Sequence, residues 1–140
     1  MSDQTASRTG GQLVAECLRL HGVDTVFSQE LSTAVRYGLD SVFIVVNNGM
    51  FGTIRMHQER EYPGRVHGTD LVNPDFAADA RAFGAHGEIV EKTGEFAPAF
   101  ERALSAGRAA LLELRVDPEA ITPRTTLSAI REAALRRGHS

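Results

Sequence analysis

The chain has 140 residues, 42% of them hydrophobic and 24% charged, which describes a single ordinary globular domain with enough apolar material for a core. A formal net charge of −3 and a pI near 5.9 argue against a nucleic-acid or anionic-membrane surface, which needs a basic excess. Cys17 is the single cysteine, so no internal disulfide can form, and no apolar run approaches the ~20 residues of a membrane span or forms a signal segment; the chain reads as cytoplasmic.

Residues 1 to 8 are polar and small, a frayed tail that carries no functional signal. After Thr9, the apolar positions Leu13, Val14, Cys17 and Leu18 fall at helical spacing, and Gly22 stops the helix. With no Cys or His at ligand spacing beside it, Cys17 reads as a small core residue. Val23 to Phe27 alternate apolar and polar as a short strand does. From Gln29 to Tyr37 a second helix carries Leu31, Ala34 and Val35 on one face, with Ser28 placed to cap it and Gly38 to end it.

Val42 to Val46 are five consecutive apolar residues, too short for a buried helix and suited to an interior strand of a parallel sheet. The sequence then turns to Asn47, Asn48 and Gly49, with Gly52 close behind. Two readings stand side by side. Asn-Asn-Gly is an ordinary turn that tolerates positive φ; it is also a set of amide oxygens and pliant backbone at the carboxyl end of a strand, where open α/β sheets bind ligands.

Ile54 to Tyr62 is polar and helical at its start, closed by Pro63 and Gly64. His57 and His67 lie in or near it, ten residues apart, and make no metal motif. Asn73-Pro74 reads as a capped helix start, with Phe76, Ala80 and Phe83 on one face and Gly84 as its stop. A strand is expected at Glu88 to Glu91, then a helix at Glu95 to Ser105 with Phe96, Phe100 and Leu104 on one stripe before Gly107. Ala109 to Val116 is the next strand, with Leu112, Leu114 and Val116 sharing a face. Ile121 to Thr125 crosses irregularly to a last helix at Leu127 to Arg137, whose Arg131, Arg136 and Arg137 read as a solvated face. The order predicts an α/β fold: a parallel sheet flanked by helices, with right-handed crossovers.

One family carries these motifs in this order. Gln29-Glu30-Leu31 through Gly38-Leu39, the apolar strand, Asn47-Asn48-Gly49-Met50-Phe51-Gly52-Thr53, Asn73-Pro74-Asp75-Phe76 and Ala82-Phe83-Gly84-Ala85 closely resemble the carboxyl-terminal, diphosphate-binding domain of thiamine diphosphate-dependent enzymes of the acetolactate synthase-like and 2-oxo acid decarboxylase type. The resemblance runs from about Gln29 to about Ile130. A second one covers Thr9 to Phe27, which is similar to the first helix and strand of the amino-terminal, pyrimidine-binding domain of the same family. The organisation expected is therefore a tail at 1–8, a pyrimidine-domain remnant at 9–27 and a partial diphosphate-binding domain at 28–140, an incomplete thiamine diphosphate-binding fold with its middle deleted.

The resemblance implies thiamine diphosphate and Mg²⁺ as cofactors. In the family the ion is held by an Asp of a Gly-Asp-Gly motif, the side-chain oxygen of the second Asn of an Asn-Asn pair and a backbone carbonyl two residues later, hard oxygen ligands suited to Mg²⁺. Asn48 and the Met50 carbonyl match the last two, and Asn47, Gly49, Phe51 and Gly52 would complete the cofactor-binding loop. The first ligand is not matched: His21-Gly22 stands in the place of Asp-Gly, and Asp24 lies three residues away inside a strand pattern. No catalytic residue is assigned, because the family's catalytic Glu belongs to the part of the pyrimidine domain that is not matched, and Glu30 reads as a first-turn acid of its helix. The implied function is that of a decarboxylase or carboligase of 2-oxo acids, with weak cofactor binding by this chain and no turnover of its own. The alternative is an inactive remnant that at most binds a partner. A homo-oligomer, or a complementing chain that carries the missing domain, is the expected assembly.

Overall fold

The structure, a computed structural model, describes residues 28–122 and 124–138. The readings placed on the helix after Thr9, Cys17, His21, Asp24 and the strand at Val23 to Phe27 lie outside the described residues. Eight elements follow in order: α1 (Ser28–Arg36), β1 (Val42–Asn47), α2 (Gly52–Glu61), α3 (Phe76–Ala82), β2 (His86–Val90), α4 (Thr93–Leu104), β3 (Ala110–Arg115) and α5 (Leu127–Gly138). Glycines with positive φ, Gly38, Gly84 and Gly107, follow α1, α3 and α4, as expected of residues that leave a helix through the left-handed region.

The three strands form one parallel sheet in the order β1-β3-β2, with Ile44 and Glu88 both opposite Leu112 of the middle strand. Successive residues of β3 serve opposite faces, as the period of a strand requires. Leu111 joins Leu31 and Ala34 of α1 and Ala80 of α3 on one face, while Leu112 joins Ala99 and Ala103 of α4 on the other. Phe96 and Phe100 stack with centroids 5.7 Å apart beside that second cluster. α5 packs on α2 rather than on the sheet.

Several expectations need correction. Among the described residues β1 is an edge strand rather than an interior one: the long apolar run that suggested double coverage is buried fully only at Val45, and Val46 is 64% exposed. Phe83 and Leu104 sit at the ends of their helices and face solvent, with Leu104 61% exposed; small residues, Ala77, Ala80, Ala99 and Ala103, make the close helix-to-sheet contacts instead. Val116 lies beyond the end of β3 and is exposed. β2 begins at His86, two residues earlier than the apolar signal, because its pairing to β3 starts opposite Ala110. Helix α3 begins at Phe76, not at Pro74, and its cap is Asp75, whose Oδ1 accepts from the Ala78 amide at 2.7 Å.

Candidate functional site

The loop from Asn47 to Gly52 leaves the carboxyl end of β1 and runs directly into α2. Its geometry is set by amide side chains. Asn47 Oδ1 accepts from the Gly49 amide at 3.0 Å and from Asn73 Nδ2 at 2.8 Å, while Asn47 Nδ2 donates to Glu113 Oε1 at 2.8 Å. Asn48 Oδ1 accepts from the Met50 amide at 3.2 Å, the same side-chain-to-backbone turn one residue further on. Gly49 takes φ +68°, which an L side chain rarely adopts. A Cβ at Gly52 would stand 2.7 Å from Asn48 Nδ2 and 2.8 Å from Ile121 Cδ1, so only glycine lets the Asn48 side chain lie across the start of α2.

Residues 69–71 brace this loop from the side. The Phe51 amide donates to the Thr69 carbonyl at 2.8 Å, the Leu71 amide donates to the Gly49 carbonyl at 2.9 Å, and Met50 pairs with Asp70 as an antiparallel bridge. Arg55 Nη1 reaches Asp70 Oδ1 at 2.8 Å and ties the brace to α2. The Met50 carbonyl takes no backbone hydrogen bond among the described residues.

Among the described residues the amino terminus of α2 is left open. Phe51 at its cap position gives no side-chain hydrogen bond, and the first turn carries no acid. The starts of the helices that follow carry acids or hydroxyls: Asp75 caps α3, Glu95 stands in the first turn of α4 with Oε2 accepting from the Glu91 and Lys92 amides just ahead of it, and Thr126 Oγ1 and Glu119 Oε2 accept from the first amides of α5. An open helix start with its partial positive charge suits an anion. Beside it stand one amide oxygen, Asn48 Oδ1, and one free carbonyl, that of Met50. Neutral hard oxygens of this kind fit a Mg²⁺ ion that brings a diphosphate with it.

The far end of α2 is pinned by charge. Glu59 is fully buried and pairs with Arg131 of α5, with Nε at 2.8 Å from Oε2 and Nη2 on Oε1, while the Gly64 amide adds a bond at 3.1 Å. The Arg131 hydrogen bonds hold the Glu59 carboxyl below its ordinary value and Glu59 raises that of Arg131. Arg131 is thus no part of a solvated face. On β2, Arg102 lowers the Glu88 carboxyl in the same way, helped by His86.

The expected site residues are therefore brought together by one loop: Asn47, Asn48, Gly49, Met50, Phe51 and Gly52. Within it Asn47 is spent on internal bonds and shapes the turn, and Phe51 is half exposed. His57 and His67 are exposed, and no group of three metal-binding side chains is assembled among the described residues. No described helix is long and apolar enough to cross a membrane. Glu113 and Thr69 were not singled out from the sequence, and Asn73 was read as a helix cap rather than as a partner of Asn47. The one visible signal was the acid in Leu-Leu-Glu-Leu, a carboxylate inside an apolar strand.

Comparison with known proteins fits this geometry. The family model described as "Thiamine pyrophosphate enzyme, C-terminal TPP binding domain" matches residues 24–114. The chain belongs to the thiamine pyrophosphate enzyme family. It is 33% identical over 95 residues to the acetolactate synthase large subunit IlvG of Mycobacterium tuberculosis, covering 68% of this chain and 17% of that protein. It is 34% identical over 92 residues to the acetolactate synthase large subunit of Haemophilus influenzae, covering 64% of this chain and 16% of that protein. The fold is similar to that of benzoylformate decarboxylase from Polynucleobacter necessarius, with a TM-score of 0.60 at 24% identity over 78% of this chain and 22% of that one. The chain thus spans about a sixth of the length of the curated relatives it matches. The matched part is the family's C-terminal TPP binding domain, here on a parallel α/β sheet.

Proposed function

We propose that this domain anchors the diphosphate of thiamine diphosphate through a Mg²⁺ ion held by Asn48 Oδ1 and the Met50 carbonyl, as the diphosphate part of a decarboxylase or carboligase of 2-oxo acids. The observation that carries the proposal is the open amino terminus of α2 beside those two oxygens. The backbone amides of that first turn bind the phosphate oxygens, and the two neutral ligands orient the ion without adding negative charge to a site that must hold a diphosphate. Asn47 and the brace at 69–71 hold the loop that carries both oxygens. When bound, the cofactor supplies the nucleophilic carbon of the reaction; the chain's own residues bind and orient.

Thermal unfolding tests this. With ligand tenfold over its dissociation constant, a specific site gains about 1.4 kcal/mol, a shift of several degrees for a domain of this size. Thiamine diphosphate with Mg²⁺ should give that shift, and thiamine, which lacks the diphosphate, should not. Equal shifts from both compounds contradict the reading.

A second reading, self-association without turnover, is favoured by the edge of β1, which no strand covers among the described residues. The β2 edge is blunted by Arg81 Nη1, which donates to the Gly87 carbonyl at 2.8 Å, and by the Glu88–Arg102 pair. β1 presents only apolar side chains from Val42 to Val46. Such an edge pairs with a second copy of the chain. A clean monomer in light scattering over a wide concentration range would rule it out.

A further inference from the structure

We propose that Glu113 is the positioning residue of the Asn47–Gly52 loop: its buried carboxylate fixes the orientation of the Asn47 carboxamide, and through it the turn that presents Asn48 and Met50. Glu113 lies on the middle strand, 0% exposed, between Leu112 and Leu114. A carboxylate in such a place is costly, and a leucine there would suit the core better. Its two oxygens are used unequally. Oε1 accepts from Asn47 Nδ2 at 2.8 Å and from Arg115 Nε at 3.1 Å, while Oε2 is buried with no protein partner among the described residues.

What the carboxylate supplies is a choice between two states of an amide. An Asn carboxamide can turn over, exchanging its oxygen and nitrogen, unless its neighbours distinguish them. An ionised carboxylate only accepts, so it compels Asn47 to face it with Nδ2 and to direct Oδ1 the other way, at the Gly49 amide and Asn73 Nδ2. Both of those groups donate, and they would reject the flipped amide. Arg115 secures the carboxylate in turn, with Nη1 at 3.2 Å from Glu91 Oε1 just beyond β2. The line Asn73, Asn47, Glu113, Arg115, Glu91 spans the carboxyl ends of all three strands and passes through the first residue of the loop. Glu113 touches neither the ion nor the diphosphate in this account; it acts through Asn47.

The test uses the full chain and Glu113→Gln, which keeps the shape but no longer obliges the group facing Asn47 to accept, so one of the bonds that orient the Asn47 amide is weakened. Amide hydrogen exchange followed by nuclear magnetic resonance should show the Gly49 N–H and the Asn47 side-chain amide exchanging about tenfold faster, the loss of roughly one hydrogen bond. The Leu112 amide of β3 should exchange unchanged. Should Glu113→Gln fail to fold, Arg115→Gln at a half-exposed position decides the matter, with an expected acceleration of about threefold at Gly49 and none at Leu112. Unchanged Gly49 exchange in the folded variant, or equal acceleration at Leu112, overturns the proposal. A second arm rests on the diphosphate reading: Mg²⁺ with inorganic pyrophosphate should bind about tenfold more weakly to Glu113→Gln. If the unaltered chain does not bind that probe, the diphosphate reading fails while the exchange arm still decides the role of Glu113.

Discussion

The two ends of α2 are held in opposite ways. At its carboxyl half a buried ion pair, Glu59 with Arg131, fastens it to α5 and uses every charge it contains. At its amino end neutral amides and backbone bonds shape a loop, and the first-turn amides are left without a cap. On the function proposed above, the difference separates anchoring from binding: a helix end that receives an anion cannot also be closed by a carboxylate, so the fixing is done elsewhere. α3 and α4, which carry no such loop, begin with acids: Asp75 caps the first and Glu95 stands in the first turn of the second.

Breaking the pinned end should produce the largest effect. Arg131→Met leaves the fully buried Glu59 carboxylate without its cation, a change that costs about 3 to 5 kcal/mol for a buried pair; Arg131 is itself 35% exposed, which places the expected loss near the lower figure. Urea unfolding measures it, and the paired replacement Glu59→Leu with Arg131→Met should recover most of the loss.

Acid probes the same end without mutation. The Glu59 carboxyl is lowered in the folded chain by Arg131, so its contribution is complete above the ordinary value of 4.5 and fades as pH falls through the lowered folded value. Stability followed from neutral pH to roughly pH 2 should therefore drop below the ordinary carboxylate range. The drop should be smaller in Arg131→Met, where the folded-state preference for the charged form is gone.

At the open end, Gly52→Ala forces a Cβ to within 2.7 Å of Asn48 Nδ2 and 2.8 Å of Ile121 Cδ1. An overpacking cost of about 1 to 2 kcal/mol is expected, with loss of cofactor-dependent stabilisation out of proportion to it. The smallest change is Asp75→Ala, a lost helix cap worth about 1 kcal/mol that should leave the loop intact. Asn73→Ala should do the reverse, with little effect on α3 and a looser loop. Denaturant midpoints and Gly49 exchange, measured on both variants, separate the two roles.

That last contrast also shows how far the sequence could be read. The helices and strands were legible because apolar spacing and glycine stops are local signals, and Asn47 to Gly52 stood out as a break after an apolar run. Asn73 was misread for the same reason: Asn-Pro looks like a cap, yet an acid two residues later caps the helix and frees the Asn side chain to reach Asn47, 26 positions away. Glu113 meets Asn47 across 66 positions and Arg131 meets Glu59 across 72. No periodicity encodes such pairs. They depend on β3 entering between β1 and β2 and on α5 returning over α2. The edge position of β1 has the same origin, since an apolar run specifies burial but not which strands lie beside it.

Calorimetric titration of thiamine diphosphate into the chain at millimolar Mg²⁺, repeated on Asn48→Ala, tests the central claim most directly. The account predicts saturable, Mg²⁺-dependent binding with a dissociation constant of about 0.1 to 1 mM, roughly −5.5 to −4.1 kcal/mol, weakened at least about tenfold by the substitution. Isotherms that are the same for both proteins, or the same with and without Mg²⁺, would contradict it.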